Sequence, residues 1–326
     1  MTDVLPYRSR GKAPPPASPS PLRGPAHLPP PRRRRRRPAG AMRAVESMAL
    51  HAVITVLALI SLMPFFWLVC ATFKRHDEMF TWAFVPWEWR AGFIPWPRLD
   101  QLTLSNYGWL FTKEPFLKWL LNSLFVASAH TVLVVTLSSI GGFALAKYRF
   151  AGKRPLMLMM LTTMMLPSQV LLGSSWELMY KIGWLDTYAA IIVPGAVSVF
   201  GIFLFMQAMK TVPDELLQAG RVDGCSELRL WWEVALPIVR PMIGAYTLLS
   251  FMAGWNSFLW PQIVLQNQEK YTLPIGLTNM IGQPGYVTPY GVLMAGTLLS
   301  IVPVAILFFI LQKDFIAGLA SGAVKG

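Results

Sequence analysis

Charged side chains are scarce in this sequence: Asp, Glu, Lys and Arg make up 14% of the 326 residues, while hydrophobic residues make up 54%. Ordinary soluble domains have about a quarter of their residues charged. The mean hydropathy is also positive, at +0.45. This composition excludes a typical soluble domain and indicates a membrane protein.

Cysteine is almost absent, since Cys70 and Cys225 are the two cysteines of the chain. Their spacing matches no zinc pattern and no disulfide framework. Free cysteine behaves as a small apolar residue that is usually buried. We interpret both as buried or partly buried side chains, and we expect no metal site.

Motifs for catalysis and for nucleotide binding are also missing. The sequence contains no nucleophile elbow, no pair of carboxylates on one helix face and no G-x-x-x-x-G-K-[ST] phosphate-binding loop. The ionisable residues within or next to apolar runs are His51, His130 and Glu177. A lone His in a membrane helix is more often hydrogen-bonded to a neighbour than part of a proton relay. The chain is therefore predicted not to be an enzyme, and any energy from ATP comes from another subunit.

The net charge of +13 is concentrated near the start of the chain, where residues 1–43 contain "PRRRRRRPAG" and a Pro-rich lead. With so few large apolar residues, this segment is predicted to be a disordered tail. Arg32–Arg37 can contact nucleic acid, contact anionic lipid or retain the segment in the cytoplasm, and the positive-inside rule favours the last. Translation from Met42 or Met48 would remove the tail.

Six apolar stretches of about 20 residues are long enough to span a bilayer. An even number places both termini on one side, and the positive-inside rule makes that side the cytoplasm of a bacterial cell. The predicted fold is all-α, with a permease domain at residues 44–326. The six predicted spans are residues 49–72, 119–145, 155–176, 187–209, 241–264 and 289–311.

Two segments then face outward, residues 74–118 and 265–288. The first is rich in Trp and Pro, which suits either an aromatic belt at the membrane surface or a docking face for an outside partner. The second, around Tyr271 to Tyr290, suits contact with an external binding protein, although ordinary surface loops have the same composition.

An unusual polar stretch, "DELLQAGRVDGCSELRLWWEVALPIVRP", separates two of the apolar runs. Thr211 is predicted to cap a helix, with Pro213 tolerated in its first turn. Acidic residues then lie where the helix dipole favours them. The helix is expected to stop at Asp223 and Gly224, because glycine readily adopts the left-handed conformation.

A second helix is predicted after this turn, capped by Ser226 and ended by Pro237. Its apolar residues recur at helical spacing and predict one stripe, formed by Leu228, Trp231, Trp232 and Ala235. Four charged side chains are expected to be available to a partner, namely Arg221, Glu227, Arg229 and Glu233. Spacing alone also fits a helix pair that lies against lipid.

The stretch resembles the cytoplasmic coupling loop of permease subunits in binding-protein-dependent ABC importers, often called the EAA loop. In that family, Asp-Gly is followed after nine residues by an aliphatic residue, any residue, Leu and Pro. The matching residues here are Asp223, Gly224, Val234, Leu236 and Pro237.

This sequence departs from the family pattern at the start of the loop. Gln218 stands where the family has its Glu, Ala219 matches, and Gly220 replaces the second Ala. Loss of the acid would weaken a charge-assisted contact with an ATPase subunit. Glu215, about one turn earlier, is a candidate substitute.

The resemblance extends over nearly all of the chain after residue 45 and is to the carbohydrate-uptake branch, of the maltose-permease G type. It is carried by "LTLSNYGWLF", "NSLFVA", "GWNSFLWPQIVL", "YTLPIGL" and the segment from residue 290 to 326. It implies a non-catalytic permease subunit that works with a homologous second permease, two ATPase subunits that bind ATP and Mg²⁺, and an external solute-binding protein. Membrane lipid is the remaining expected partner, and nucleic acid is not expected.

The resemblance implies a sugar as the substrate, and three residues of a mixed aromatic and polar run are candidates for its pathway: Trp255, Asn256 and Trp260. A polyol or glycerol phosphate is the alternative within the same class. A phosphorylated substrate would favour Arg or Lys in the pathway, and the predicted spans carry none away from their ends. An ion-coupled secondary carrier would instead require buried carboxylates and internal symmetry, neither of which is evident.

Overall fold

The computed structural model describes residues 39–82, 84, 87–90, 94–97, 101–281 and 289–323. Most of the predicted tail, and residues 282–288 of the second outward segment, lie outside the described residues. Within the described residues the α-helices are α1 Ala39–Thr72, α2 Ser105–Lys113, α3 Phe116–Lys147, α4 Lys153–Thr163, α5 Leu172–Lys181, α6 Ala189–Ile192, α7 Val199–Met209, α8 Asp214–Val222, α9 Glu227–Arg229, α10 Leu236–Ile238, α11 Arg240–Trp255, α12 Leu259–Val264, α13 Leu273–Asn279 and α14 Tyr290–Ala323.

Shorter elements connect these helices. A π-helical segment, Leu230–Ala235, joins α9 to α10. Among the described residues, 3-10 helices lie at His76–Glu78, Ser168–Leu171 and Gln268–Lys270. Strands β1 (Trp87–Arg90) and β2 (Ile94–Pro97) pair antiparallel in the first predicted outward segment. This hairpin is a small departure from the predicted all-α class.

The chain divides into two units, Met1–Ala58 and Leu59–Gly326. In the first unit, the described side chains from Glu46 to Ala58 are exposed, although most of them are apolar. A helix that is apolar all round is typical of one surrounded by lipid.

Three described helices are long and apolar enough to cross a membrane, in segments Glu46–Thr72, Phe116–Lys147 and Tyr290–Gly318. They coincide with the first, second and sixth predicted spans. The other three predicted spans are interrupted. With each strongly bent helix pair counted as one span, the described chain has up to five, so six spans stay a prediction.

Prolines explain part of this difference. Pro64 and Pro303 lie inside continuous helices, where the freed carbonyls are tolerated. Pro167 instead precedes the 3-10 helix of a pair bent by 88°, and Pro194 lies in the gap between α6 and α7. These two prolines therefore lie at helix breaks and not at kinks within a continuous helix.

Within the second unit, α3 packs against α7 and α11, and α11 packs against α14. Small residues let these helices approach closely, as is typical of membrane helix pairs. A Cβ atom on Gly142 would lie 2.5 Å from Cβ of Phe205 and 2.7 Å from the backbone nitrogen of Met206.

Substitution of Gly142 by valine is expected to destabilise the protein by about 1–3 kcal/mol, because an added side chain must displace the backbone of α7. Thermal unfolding of the purified protein in detergent would measure the effect. Gly108→Val is the control, since a Cβ on Gly108 meets nothing within 4 Å. Equal melting temperatures for the two variants would contradict this explanation.

The N-terminal end of α3 holds the segment between α12 and α13. Nδ2 of Asn122 donates to the carbonyl oxygens of Glu269 (2.9 Å) and Tyr271 (3.0 Å), and the Leu273 N–H donates to Oγ of Ser123 (2.7 Å). Nε1 of Trp119 donates to the Gln268 carbonyl at 3.2 Å. These four hydrogen bonds fix residues 268–273 to three residues of α3.

Asp186, between α5 and α6, holds the same segment from another side. Its carboxylate accepts from the N–H groups of Gln266 and Asn267, each at 3.0 Å, and from Nζ of Lys270 at 2.8 Å. Burial opposes the charged form, but Lys270 and the two N–H groups outweigh it and hold the pKa of this carboxyl below its usual range. The left-handed backbone of Asp186, with φ of 56°, is maintained by these bonds.

Candidate coupling segment and substrate cavity

The polar stretch at residues 211–237, called here the coupling segment, begins as a helix close to the predicted place. Helix α8 starts at Asp214 with Pro213 at its N-cap. Thr211 is not the cap, because its hydroxyl donates to the Ala208 carbonyl at 2.8 Å and so completes the end of α7. Asp214 and Glu215 occupy the first turn, where the helix dipole favours acids.

The turn after α8 agrees with the prediction. Helix α8 ends at Val222, and Gly224 has a left-handed φ of 81°. The Cys225 N–H donates to the Gly220 carbonyl at 2.9 Å, which closes the helix end. Oγ of Ser226 accepts from the Arg229 N–H at 3.4 Å, so the predicted second cap is also confirmed.

Gly220 brings the two helical parts of the coupling segment together. A Cβ atom at this position would lie 2.5 Å from Cδ2 of Leu230, whose side chain is fully buried. The Leu230 side chain therefore occupies the space that the side chain of an alanine at position 220, the residue of the family pattern, would need.

The predicted apolar stripe of the second helix is wrong in part. Trp231 and Ala235 are buried, but Leu228 and Trp232 are 68% and 65% exposed. The π-helical segment explains the difference, because its hydrogen bonds span five residues rather than four. Residues four apart then stay on one face, as Trp231 and Ala235 do, whereas residues three apart, such as Leu228 and Trp231, lie on different faces.

The four charged side chains that were expected to be available to a partner pair with one another instead. Nε and Nη2 of Arg221 donate to the two carboxylate oxygens of Glu227, at 2.7 and 3.1 Å. Arg229 pairs with Glu233 at 2.8 Å. The Tyr148 hydroxyl also donates to Glu227. Arg221 and then Tyr148 hold the pKa of the Glu227 carboxyl below its usual range, while burial raises the pKa of Tyr148.

A second tie lies next to Tyr148. Lys147, the last residue of α3, has a side chain only 6% exposed. Its Nζ donates to Oδ1 of Asp214 at 2.7 Å and to the Val212 carbonyl, and the Lys147 ammonium lowers the pKa of Asp214. Together the Lys147–Asp214 pair and the Tyr148–Glu227–Arg221 network form what we call the α3 clamp.

The α3 clamp was not predicted, because Lys147 and Tyr148 lie 67 and 79 positions before their partners in the sequence. By contrast, the predicted docking residues Glu215, Gln218, Ala219, Asp223 and Gly224 are exposed. Leu236 is half-buried and Pro237 is exposed. The coupling segment therefore presents one uncovered face while its other face is fixed to α3.

The predicted pathway residues do not lie together. Trp255 and Asn256 line one cavity of about 410 Å³, called the second cavity. Trp255 is buried and stacks on Phe251 with ring centroids 5.7 Å apart, and Nδ2 of Asn256 donates to the Met252 carbonyl at 2.8 Å. Trp260 lines a different cavity, of about 470 Å³.

This larger cavity, called the break cavity, lies where three helix interruptions meet. Gln169 comes from the break between α4 and α5, Gly195 from the break between α6 and α7, and Ser257 from the break between α11 and α12. His130 of α3 and Trp260 add an imidazole and an indole to its lining. Non-helical backbone at membrane depth is tolerated where it lines a cavity.

The remaining ionisable candidates have local partners. Nδ1 of His51 contacts the Ser47 carbonyl at 2.6 Å, and Nδ1 of His130 contacts the Ile192 carbonyl at 3.0 Å. Glu177 forms an exposed pair with Lys181 one turn later. These contacts confirm the expectation that each histidine is hydrogen-bonded to a neighbour.

Comparison with known proteins gives consistent results. The family model described as "Binding-protein-dependent transport system inner membrane component" matches residues 135–319. The arabinooligosaccharide transport system permease protein AraQ of Halalkalibacterium halodurans is 35% identical over 83% of this chain and 93% of its own length. The maltodextrin transport system permease protein MdxG of Bacillus subtilis is 34% identical over 69% of this chain and 81% of its own length.

A solved structure shares the fold. The crystal structure of a bacterial ABC transporter involved in import of the acidic polysaccharide alginate superposes with a TM-score of 0.71 at 22% identity, covering 85% of this chain and 98% of that one. The family model covers more than half of the chain, so the match identifies the family of the chain. The chain belongs to the family of inner-membrane components of binding-protein-dependent transport systems.

Proposed function

We propose that this chain is one of two permease subunits of an ATP-driven importer for a sugar or oligosaccharide. A homologous second permease, two ATPase subunits that bind ATP and Mg²⁺, and an external solute-binding protein complete the assembly. In this assembly the chain is a transport component, and ATP is hydrolysed by the ATPase subunits. Two of its relatives are named as permeases for arabinooligosaccharides and for maltodextrin, which supports this substrate class.

The observation that carries the proposal is the α3 clamp. A helix pair that only lay against lipid would need no ties to a spanning helix, whereas a lever must transmit displacement. Because the α3 clamp fixes α8 and α9 to the end of α3, an ATPase that moves α8 also moves α3. His130, 17 residues before Lys147 on the same helix, lies about 25 Å away along the axis and lines the break cavity.

The membrane arrangement follows from the same proposal. Six spans, of which the third, fourth and fifth are discontinuous, place both termini in the cytoplasm of a bacterial cell. The basic residues next to α3 and α4 and the coupling segment then lie on the cytoplasmic side, in accord with the positive-inside rule. Transporters often form their substrate sites from such discontinuous helices.

The lining of the cavities favours a neutral substrate over glycerol phosphate. The described residues that line the break cavity and the second cavity include no Lys, Arg, Asp or Glu. A phosphate would be recognised by cationic side chains. Ion coupling by a secondary carrier would need buried carboxylates, and those linings provide none.

Replacement of Gln218 by glutamate is expected to strengthen binding of the ATPase subunit, because a charged acceptor makes a stronger hydrogen bond than a neutral one. Co-expression with the candidate ATPase and sister permease, followed by pull-down and sugar-stimulated ATP hydrolysis, would measure this. The expected gain is about two- to tenfold in affinity, or roughly 0.4–1.4 kcal/mol. Absence of any ATPase in the parent pull-down would contradict the proposed function itself.

A further inference from the structure

We propose that the break cavity is itself a binding subsite for one uncharged glycosyl unit of the transported substrate. Trp260 forms its aromatic wall, and Gln169, Ser257 and His130 supply its hydrogen bonds. This inference rests on the proposed function and adds to it, because the subsite belongs to this chain alone and does not require the partner permease to supply the contacts.

The size and charge of the break cavity fit such a ligand. Its volume of about 470 Å³ falls within the range of about 300–1,000 Å³ that is common for small-molecule sites. Its described lining is mostly apolar with a few polar groups, and it includes no charged side chain. An ionic ligand would lose its hydration there without gaining a counter-charge.

Trp260 is fixed in place before any ligand binds. Its indole Nε1 donates to the Ala190 carbonyl at 2.8 Å, and its ring packs against the cluster formed by Met179, Ala190 and Val264. An aromatic face held in this way pays little conformational entropy on binding. The C–H groups of a sugar ring are apolar enough to pack on such a face.

His130 contributes an acceptor whose identity follows from its partner. The Ile192 carbonyl, 3.0 Å from Nδ1, can only accept, so Nδ1 carries the proton. In the neutral imidazole this leaves Nε2 as an acceptor. A Cβ atom on Gly195 would lie 2.9 Å from Cε1 of His130, and the glycine therefore makes room for the ring beside the break cavity.

Two further polar groups come from two different helix breaks. Among the residues that the structure describes, the amide nitrogen of Gln169 and the hydroxyl of Ser257 have no hydrogen-bond partner. Oε1 of Gln169 accepts only a long bond of 3.4 Å from Ser168. An amide donor, a hydroxyl and the His130 acceptor match sugar hydroxyls, which both donate and accept.

Site-specific protection tests the subsite in the assembled importer in lipid vesicles. The chain carries Ser257→Cys, and a maleimide labels it with and without maltotriose or arabinotriose supplied with the binding protein. Peptide mass spectrometry quantifies labelling at residue 257 separately from Cys70 and Cys225. We expect the sugar that stimulates ATP hydrolysis to slow labelling severalfold. Thr278→Cys, on the second cavity, is the comparison, and we expect the sugar to slow its labelling less than labelling at residue 257.

Transport kinetics give a second readout. Trp260→Ala is expected to raise the KM for the sugar about tenfold, since each 1.4 kcal/mol of lost binding is a factor of ten. Trp260→Phe keeps an aromatic face but loses the bond to Ala190, and its KM is expected to stay within about twofold of the parent. Equal KM increases in both variants would show that the indole hydrogen bond, and not the aromatic face, is what matters.

The outcomes separate the subsite from the importer role. If sugar stimulates ATP hydrolysis by the parent but gives no protection at residue 257, the subsite is wrong and the importer role stands. If neither sugar stimulates the parent, the proposed function fails. Equal protection of Ser257→Cys and Thr278→Cys would indicate closure of the whole pathway and would also overturn a local subsite.

Discussion

Gly224→Pro is expected to abolish sugar-stimulated ATP hydrolysis by the assembled importer, while the chain still reaches the membrane. Proline fixes φ near −65° and has no N–H. Gly224 has φ of 81° and donates its N–H to the Arg221 carbonyl at 3.1 Å. The turn between α8 and α9 therefore cannot form in this variant. ATP hydrolysis and membrane quantity, measured on the same preparation, would check the prediction.

Gly183→Pro is a close control for this experiment. Gly183 also has a left-handed φ, of 71°, its N–H donates to the Tyr180 carbonyl at 3.1 Å, and a Cβ there meets nothing within 4 Å, as at Gly224. The local damage should be similar, but the turn lies outside the coupling segment. Equal loss of stimulated hydrolysis in the two variants would mean that general destabilisation, and not coupling, was measured.

Lys147→Met is expected to uncouple the importer: the ATPase still binds, but sugar no longer stimulates hydrolysis. The substitution keeps most of the buried side-chain volume while removing the donor to Val212 and Asp214. A buried carbonyl left without its donor costs about 1–3 kcal/mol. The α3 clamp is weakened as a result, while the exposed face of α8 is unchanged. Pull-down and hydrolysis on the same samples separate binding from coupling.

Lys181→Met is the control for this second experiment. It removes an exposed pair with Glu177, whose side chains are both more than 60% exposed, and such pairs contribute about 0–1 kcal/mol. Stimulated hydrolysis is expected to persist. A Lys147→Met importer with normal stimulation would show that displacement reaches the membrane by a route other than α3.

Acid is expected to weaken the α3 clamp in a defined direction. The folded-state pKa values of Asp214 and Glu227 are both lowered, by Lys147 and by Arg221 respectively. Their ionised forms therefore stabilise the folded segment above the ordinary carboxyl pKa of about 4, and this contribution is lost as pH falls through the lowered values. Hydrogen exchange of the α8 amides between pH 7 and 3, expressed as protection relative to the intrinsic exchange rate at each pH, would follow this loss. Protection that falls already between pH 7 and 5 would contradict this assignment.

The sequence was most informative where a local rule decides the structure. The end of α8 at Gly224 and the cap at Ser226 depend on residues within one turn of each other, so they could be predicted. The α3 clamp joins residues 67 and 79 positions apart, and no spacing rule connects Lys147 to Asp214. The π-helical segment also escaped prediction, because a period-3.6 pattern assumes ordinary helical hydrogen bonds.

The pathway residues show a different limit. Trp255, Asn256 and Trp260 are close in sequence, but the chain leaves its helix between α11 and α12. Side-chain directions beyond that point follow the break and not the helical period, so Trp260 faces another cavity. Pro167 and Pro194 were visible in the sequence, yet whether a proline kinks a helix or breaks it depends on the neighbours that satisfy the freed backbone groups.

Helix α3 is held at both of its ends, by the α3 clamp at Lys147 and Tyr148 and by four hydrogen bonds to residues 268–273 at its start. Under the proposed function, α3 then connects the coupling segment, which contacts an ATPase, to residues 268–273, which come just before the expected contact with a binding protein. Thermodynamic reciprocity requires that if engagement of one partner changes the affinity for the other, the second changes the first by the same factor. Docking of the solute-binding protein outside the cell would thus change the affinity of the coupling segment for the ATPase, and α3 would carry this change across the membrane.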